Sequence, residues 1–197
     1  MRTTYARSQS YLYVSFLFVF SLSLTSCAEK NINNLLDIHC DNNYEFRELK
    51  STTDTRGNFE MKIPLSWKKE MFVNQNETRL YFADTTRQLN ETFIIDIGLN
   101  FSKTKIDSTF IREIKKQIQE NKNTKLIKES KITLKEKPGF VIQTKIEELS
   151  IEKNCIEIYL NNKNDSYYIL KIDAYGKENI ESRFCEAIQL LNHLDLR

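Results

Sequence analysis

The chain has 197 residues, with 29 basic against 27 acidic side chains, 40% hydrophobic residues and 11% aromatic ones. A chain this apolar can bury a core, which excludes a disordered or low-complexity protein. A formal surplus of only two positive charges excludes the large basic excess of a nucleic-acid binder, and the length fits one globular domain with short flanking segments.

Arg2 and Arg7 precede an uncharged, mostly apolar run from Tyr11 to Leu24. As a helix this run would reach ~21 Å, short of the ~30 Å hydrocarbon core of a bilayer, so it reads as the apolar region of a signal peptide. Leu24-Thr25-Ser26-Cys27 follows directly and resembles the lipobox of bacterial lipoproteins. Small residues let the extended backbone enter a signal peptidase, and the Cys thiolate is the nucleophile that accepts a diacylglyceryl group. The resemblance implies a signal peptide over residues 1–26 and an acylated Cys27 as first residue of the mature chain, anchored stably because more than one acyl chain is carried. Ala28, where an Asp would favour retention in the inner membrane, directs the expectation to the outer membrane, with the periplasmic or surface face open. Loss of Arg2 and Arg7 leaves 27 basic and 27 acidic residues, a neutral mature chain.

Residues 27–56 are polar apart from the cluster Ile32, Leu35, Leu36 and Ile38, which fits one turn of helix or part of a tether; the segment reads as a lipidated N-terminus and tether. The globular domain is expected over residues 57–197. Phe59, Met61 and Ile63 alternate with polar residues, giving a half-buried strand ended by Pro64. Trp67, the only tryptophan, is placed as an aromatic anchor on the sheet. Strands follow at Arg79 to Ala83 and Thr92 to Phe101; the second carries the run FIIDIGL, which predicts a strand covered on both faces. Asp107 is a helix N-cap, and Phe110, Ile111, Ile114 and Ile118 line one helix face. Lys125 to Lys135 predicts a strand with a solvated face, Pro138-Gly139 a turn, and Phe140 to Ile146 the next strand. Cys155 to Leu160 and Tyr167 to Ala174 predict a hairpin, and Ile180, Phe184, Ala187, Ile188, Leu191 and Leu194 the apolar face of a terminal helix. The order of elements predicts an α+β fold, a mainly antiparallel sheet with two principal helices packed on it.

Phe59, Ile63, Pro64 and Trp67 at the start, with Tyr167-Tyr168-Ile169-Leu170 before a helix containing Phe184, resemble the PsbP/Mog1-like fold over roughly residues 57–196. The resemblance implies an αβα sandwich and a binding or accessory role. The fold serves unrelated functions, from photosystem subunits to a Ran-binding protein, so no site residue transfers with it.

No catalytic constellation is legible. His39 falls in the expected tether and His193 at the end of the last helix, neither at zinc spacing, so no metal site is expected. Four isolated glycines, at 57, 98, 139 and 176, exclude phosphate-binding and dinucleotide loops, so no cofactor is expected. Glu147 and Glu148 are adjacent on a strand and point to opposite faces, which argues against a paired-carboxylate site. With Cys27 acylated, Cys40, Cys155 and Cys185 remain, an odd number. Cys155–Cys185 is the favoured bridge because both lie in the domain; Cys40–Cys185 and three free thiols are the alternatives. Between Lys103 and Lys137, 11 basic residues face 5 acidic ones. That stretch fits either a face for an anionic partner or lipid headgroup, or a lysine-protected sheet edge.

These features predict a non-enzymatic lipoprotein of the bacterial cell envelope, held to the membrane through Cys27 and binding an envelope protein, with no nucleic-acid partner. The alternatives are a carrier or sensor of an apolar ligand held between sheet and helix near Trp67, and an immunity protein against an antibacterial toxin.

Overall fold

Phe59, Met61 and Ile63 alternate inward along β2 (Phe59–Pro64) and are fully buried. β2 pairs antiparallel with β1 (Leu49–Thr53) on one side and β10 (Leu194–Leu196) on the other, forming a three-stranded sheet. A computed structural model describes residues 31–40, 43–148, 151–163 and 165–197. Seven further strands form the main sheet: β3 (Lys68–Val73), β4 (Glu77–Ala83), β5 (Phe93–Asn100), β6 (Thr124–Leu134), β7 (Lys137–Glu148), β8 (Ile151–Asn161) and β9 (Tyr167–Tyr175). Their order is β3-β4-β5-β9-β8-β7-β6, and every neighbouring pair is antiparallel.

Strand periodicity assigns the two faces. Leu80 and Phe82 of β4, Phe93, Ile95, Ile97 and Leu99 of β5, Ile156, Ile158 and Leu160 of β8, and Tyr168, Leu170, Ile172 and Ala174 of β9 join one core with the three-stranded sheet. Helix α3 (Ile180–Leu191) closes this core through Phe184, Ala187, Ile188 and Leu191. Trp67 stands 5.5 Å from Phe93 and 6.3 Å from Phe82, as an anchor over the sheet. On the opposite face α2 (Ser108–Glu120) lays Phe110, Ile111, Ile114 and Ile118 over Phe140, Ile142, Tyr159 and Tyr167. Asp107 caps α2, its carboxylate accepting from the amides of Thr109 at 2.8 Å and Phe110 at 3.0 Å. The result is the α+β sandwich that the order of elements predicts.

Three expectations are corrected. The first is the tether. Within residues 27–56, the helix α1 (Ile32–Leu36) buries Ile32 and Leu36, Ile38 joins the same core, and β1 pairs with β2. The fold therefore extends back at least to Asn31, whose side chain accepts from the Asn33 amide at 3.2 Å. The second is the turn at Pro138-Gly139. Both residues lie inside β7, opposite Thr133 and Ile132, and the reversal is made by Lys135 and Glu136 at φ 50° and 61°, the left-handed pair of a two-residue hairpin. Gly139 is required by proximity: a Cβ there would collide with the carbonyl oxygen of Tyr159. The third is the disulfide. Cys40 and Cys185 are bonded, with Cα atoms 5.4 Å apart, and Cys155 is a buried free thiol. Cys155 points to the α2 side of the sheet, in step with Glu157 and Tyr159, whereas Cys185 sits in α3 on the other side. The sheet lies between them.

Candidate functional site

Helix α2 covers the β6–β7–β8 side of its sheet face. No described helix packs on the β3–β4–β5 side of that face, and the side chains pointing there are mostly polar or aromatic, with Ile94 among them. The register sets them in rows across the sheet. Tyr81 of β4, Asp96 of β5, Lys171 of β9 and Glu157 of β8 form one row; Ile94, Asp173 and Cys155 form the next.

Ion pairs link the rows. Arg79 bonds Asp96 at 3.1 Å and Glu77 at 3.2 Å, and donates to the Tyr81 hydroxyl at 3.1 Å. Lys171 lies 3.4 Å from Glu157 and 3.7 Å from Asp173, and Lys153 lies 3.6 Å from Asp173. Gly98 makes the first contact possible, because Arg79 lies across it: a Cβ on Gly98 would stand 3.1 Å from Arg79 Cγ. Asp96 is only 5% exposed. Burial pushes its carboxyl up to about 6 against the attraction of Arg79 and Lys171. Two acceptors on this face, Oδ1 of Asp96 and Oδ1 of Asp173, have no hydrogen-bond partner among the described residues.

The same face offers no activated nucleophile. Burial, with Asp173 and Glu157 beside it, pushes the Cys155 thiol up, which keeps it protonated. The Tyr159 hydroxyl donates to Glu157 at 2.6 Å, and burial raises that phenol too. Among the described residues no three His, Cys, Asp or Glu side chains gather as a metal site. What the face presents is fixed charge and one exposed aromatic side chain: Phe72 of β3 is 56% exposed and meets Tyr81 edge-on at 5.5 Å. β3 pairs with β4 alone, so its outer backbone edge is unpaired in the sheet.

A second polar region surrounds the start of α3. Two surface hollows, of about 450 and 430 Å³, meet at Asn179 and Ser182; His39 and Tyr44 line one, Arg87 and Glu91 the other. The arginines beside them are engaged structurally. Arg87 makes a fork to Glu186 at 2.8 and 2.9 Å and an ion pair with Asp84 at 3.0 Å. Arg183, 4% exposed, donates to the carbonyls of Tyr175 at 2.6 Å, Glu178 at 2.8 Å and Thr92 at 3.0 Å.

Of the residues singled out in the sequence, Cys27 and its lipobox lie outside the described residues. His39 and His193 are not brought together: His39 lines the α3 hollow and His193 meets Phe46 edge-on at 6.3 Å. Glu147 is held by Lys145 at 3.2 Å. The interface proposed for an apolar ligand is filled, by Phe82 and Phe93 against Trp67 and by Phe110 against Tyr159 and Tyr167 at 5.2 and 5.5 Å. The ladder of Arg79, Asp96, Lys171 and Asp173 was not read from the sequence. Its signal was present: Arg79, Asp96, Lys171 and Asp173 interrupt strands that are otherwise largely apolar.

No family model matches the sequence, and a comparison with curated proteins finds no relative. Solved structures do resemble it. PsbP of the cyanobacterium Synechocystis (CyanoP) is 10% identical and superposes with a TM-score of 0.52, covering 82% of this chain and 99% of its own. The Ran-binding protein Mog1p of Saccharomyces cerevisiae is 12% identical with a TM-score of 0.50, covering 76% of this chain and 95% of its own. At that identity the likeness is one of architecture, and the chain has the PsbP/Mog1-like fold.

Proposed function

We propose that the protein is a lipid-anchored domain of the bacterial cell envelope that acts by binding another envelope protein, without catalysis, through the open β3–β4–β5 face. The observation that carries this reading is exposed Phe72 on β3, a strand with an unpaired outer edge, beside the charged rows of a sheet face that no described helix covers. Lys171, Glu157 and Asp173 are partly exposed on that face and offer fixed charge to the polar groups of a partner. Phe72 supplies the apolar anchor that such interfaces need, and the unpaired edge of β3 can accept an added strand. The lipobox at Leu24-Thr25-Ser26-Cys27 supports the anchored location, and the fold is one used for binding and accessory roles.

A photoreactive residue at position 72 of the full-length protein, in its native envelope, tests the surface. A discrete adduct is expected, weakened when Asp96→Asn and Asp173→Asn are combined. An adduct formed instead from position 116 on α2 would move the partner to the other side of the sheet and refute the assignment. Palmitate labelling lost in Cys27→Ala is the expected result for the anchor. A hydrolase activity abolished by replacing these carboxylates would overturn the non-catalytic reading.

A further inference from the structure

We infer that the β6 edge of the domain faces the membrane, with Lys122, Lys125, Ile127 and Lys131 lying against anionic lipid headgroups. This rests on the lipidated Cys27 of the reading above, and adds to it the orientation of the domain on the bilayer.

The length of chain between anchor and fold carries the argument. Cys27 precedes Asn31, the cap of α1, by four residues. Whatever their conformation, four steps span at most about 14 Å. Helix α1 packs against β6, and its capping residue Asp37 is ion-paired with Lys128 of β6. From Asn31 to Asp37 is only about 9 Å along the helix. Acyl chains on Cys27 therefore hold the α1–β6 edge within reach of the headgroup layer, itself several ångströms thick on each side of the hydrocarbon.

The chemistry of that edge fits such a surface. Lys122, Lys125 and Lys131 are exposed and form no ion pair among the described residues. Lys122 and Lys125 line a hollow of about 320 Å³ at the start of β6, opposite Lys145, which is paired with Glu147 and Glu152. Ile127 is 46% exposed and sits at the register shift between Leu126 and Lys128, unpaired with β7. An exposed isoleucine flanked by lysines suits the boundary between headgroups and acyl chains. The lysines belong to the stretch from Lys103 to Lys137, whose excess of six basic residues is balanced by acidic residues elsewhere in the mature chain. β3 is the opposite edge of the same sheet, six strand spacings or about 29 Å away, so the face proposed for a protein partner would be turned from the bilayer.

The lipidated full-length chain, reconstituted in phosphatidylcholine vesicles with and without phosphatidylglycerol, tests this. Ile127→Cys and Phe72→Cys each carry a fluorophore, and lipids with a nitroxide headgroup act as quencher. In the anionic vesicles quenching at 127 is expected several-fold above that at 72. The ratio is expected to fall toward one in the Lys122→Glu, Lys125→Glu, Lys131→Glu variant, and in salt concentrated enough to shorten screening to about 3 Å. Palmitate on Cys27 with equal quenching at the two positions overturns the orientation alone. High quenching at 127 that ignores both phosphatidylglycerol and the triple variant overturns the headgroup contact. Absence of palmitate on Cys27 removes the anchor and this inference together.

Discussion

Arg79 crosses over Gly98 of the neighbouring strand to place its guanidinium 3.1 Å from the carboxylate of Asp96. The contact ties β4 to β5 on the open face, and it sets the electrostatic state of a carboxyl that sits almost fully buried in mid-sheet. Attraction to Arg79 and Lys171 is outweighed by the loss of hydration, so the Asp96 carboxyl rises to about 6.

The sign of the resulting pH dependence follows from that rise. A carboxyl raised in the folded state contributes stability that is fully present below its unfolded value of about 3.9, and that is lost as pH rises through about 6. The stability of wild type minus that of Asp96→Asn is therefore expected to grow as pH falls from about 7.5 to about 4.5, by at most about 3 kcal/mol. Urea titrations of the two proteins at several pH values measure it directly. A difference that stays constant across that range would show that Asp96 titrates as it does in the unfolded chain.

Gly98→Ala tests how Arg79 reaches its partner. The new Cβ would stand 3.1 Å from Arg79 Cγ, 3.3 Å from Arg79 Nε and 3.3 Å from the Thr78 carbonyl oxygen. Arg79 must move off Asp96 or the strands must part, at a cost of about 1–3 kcal/mol. Removing the long side chain with Arg79→Ala is expected to make the Gly98→Ala substitution cheaper in a double-mutant cycle. Additive effects would mean that the Thr78 backbone, and not the arginine, sets the requirement for glycine.

The thiols give a second expectation. The Cys40–Cys185 bond joins residues 145 apart in sequence, and a closure of that length contributes up to about 5 kcal/mol through the unfolded chain. Cys40→Ser is expected to lower stability by several kcal/mol and to free the Cys40 to Phe46 segment for proteolysis. Cys155, buried and with its thiol pushed up, is expected to ignore a maleimide in the native protein. Unfolding without reductant should expose one further reactive thiol, and reduction two more. A native Cys155 that labels readily would contradict the burial described here.

Much of the sheet is legible in sequence because β4 and most of β9 alternate and β5 is a long apolar run. Asp107 and the spacing of Phe110, Ile111, Ile114 and Ile118 announce α2 for the same kind of reason. β3 is mostly exposed, so its KKEMFV has no apolar face to betray it. β1 owes its pairing to β2, and β10 has only three residues. Helix α1 is five residues long: Ile32, Leu35 and Leu36 stand at helical spacing, but a single turn is too short a signal, and it is stable through Ile32 and Leu36 in the core. The run FIIDIGL suggested burial on both faces, and six of the eight β5 residues are buried: Phe93, Ile95, Ile97 and Leu99 against the core, Asp96 and Gly98 among the ion-pair rows. Which side of the sheet α3 would cover is not written in its sequence, and that choice decided between Cys40 and Cys155 as the partner of Cys185.

Arg183 offers the sharpest separation between charge and shape. Its guanidinium sits 4% exposed with no acidic partner among the described residues, and burial lowers its affinity for the proton. It stays because its planar fork satisfies three carbonyls at once, those of Thr92 on the β5 approach, Tyr175 at the end of β9 and Glu178 before α3. Hydrogen bonds from a charged donor contribute roughly 1.5–3 kcal/mol each, and a lysine ammonium cannot reproduce the fork. Arg183→Lys is therefore expected to cost about 2–4 kcal/mol in chemical denaturation, little less than Arg183→Met. If lysine restored most of the stability, the charge would matter and the geometry would not, and the junction of β5, β9 and α3 would need another account.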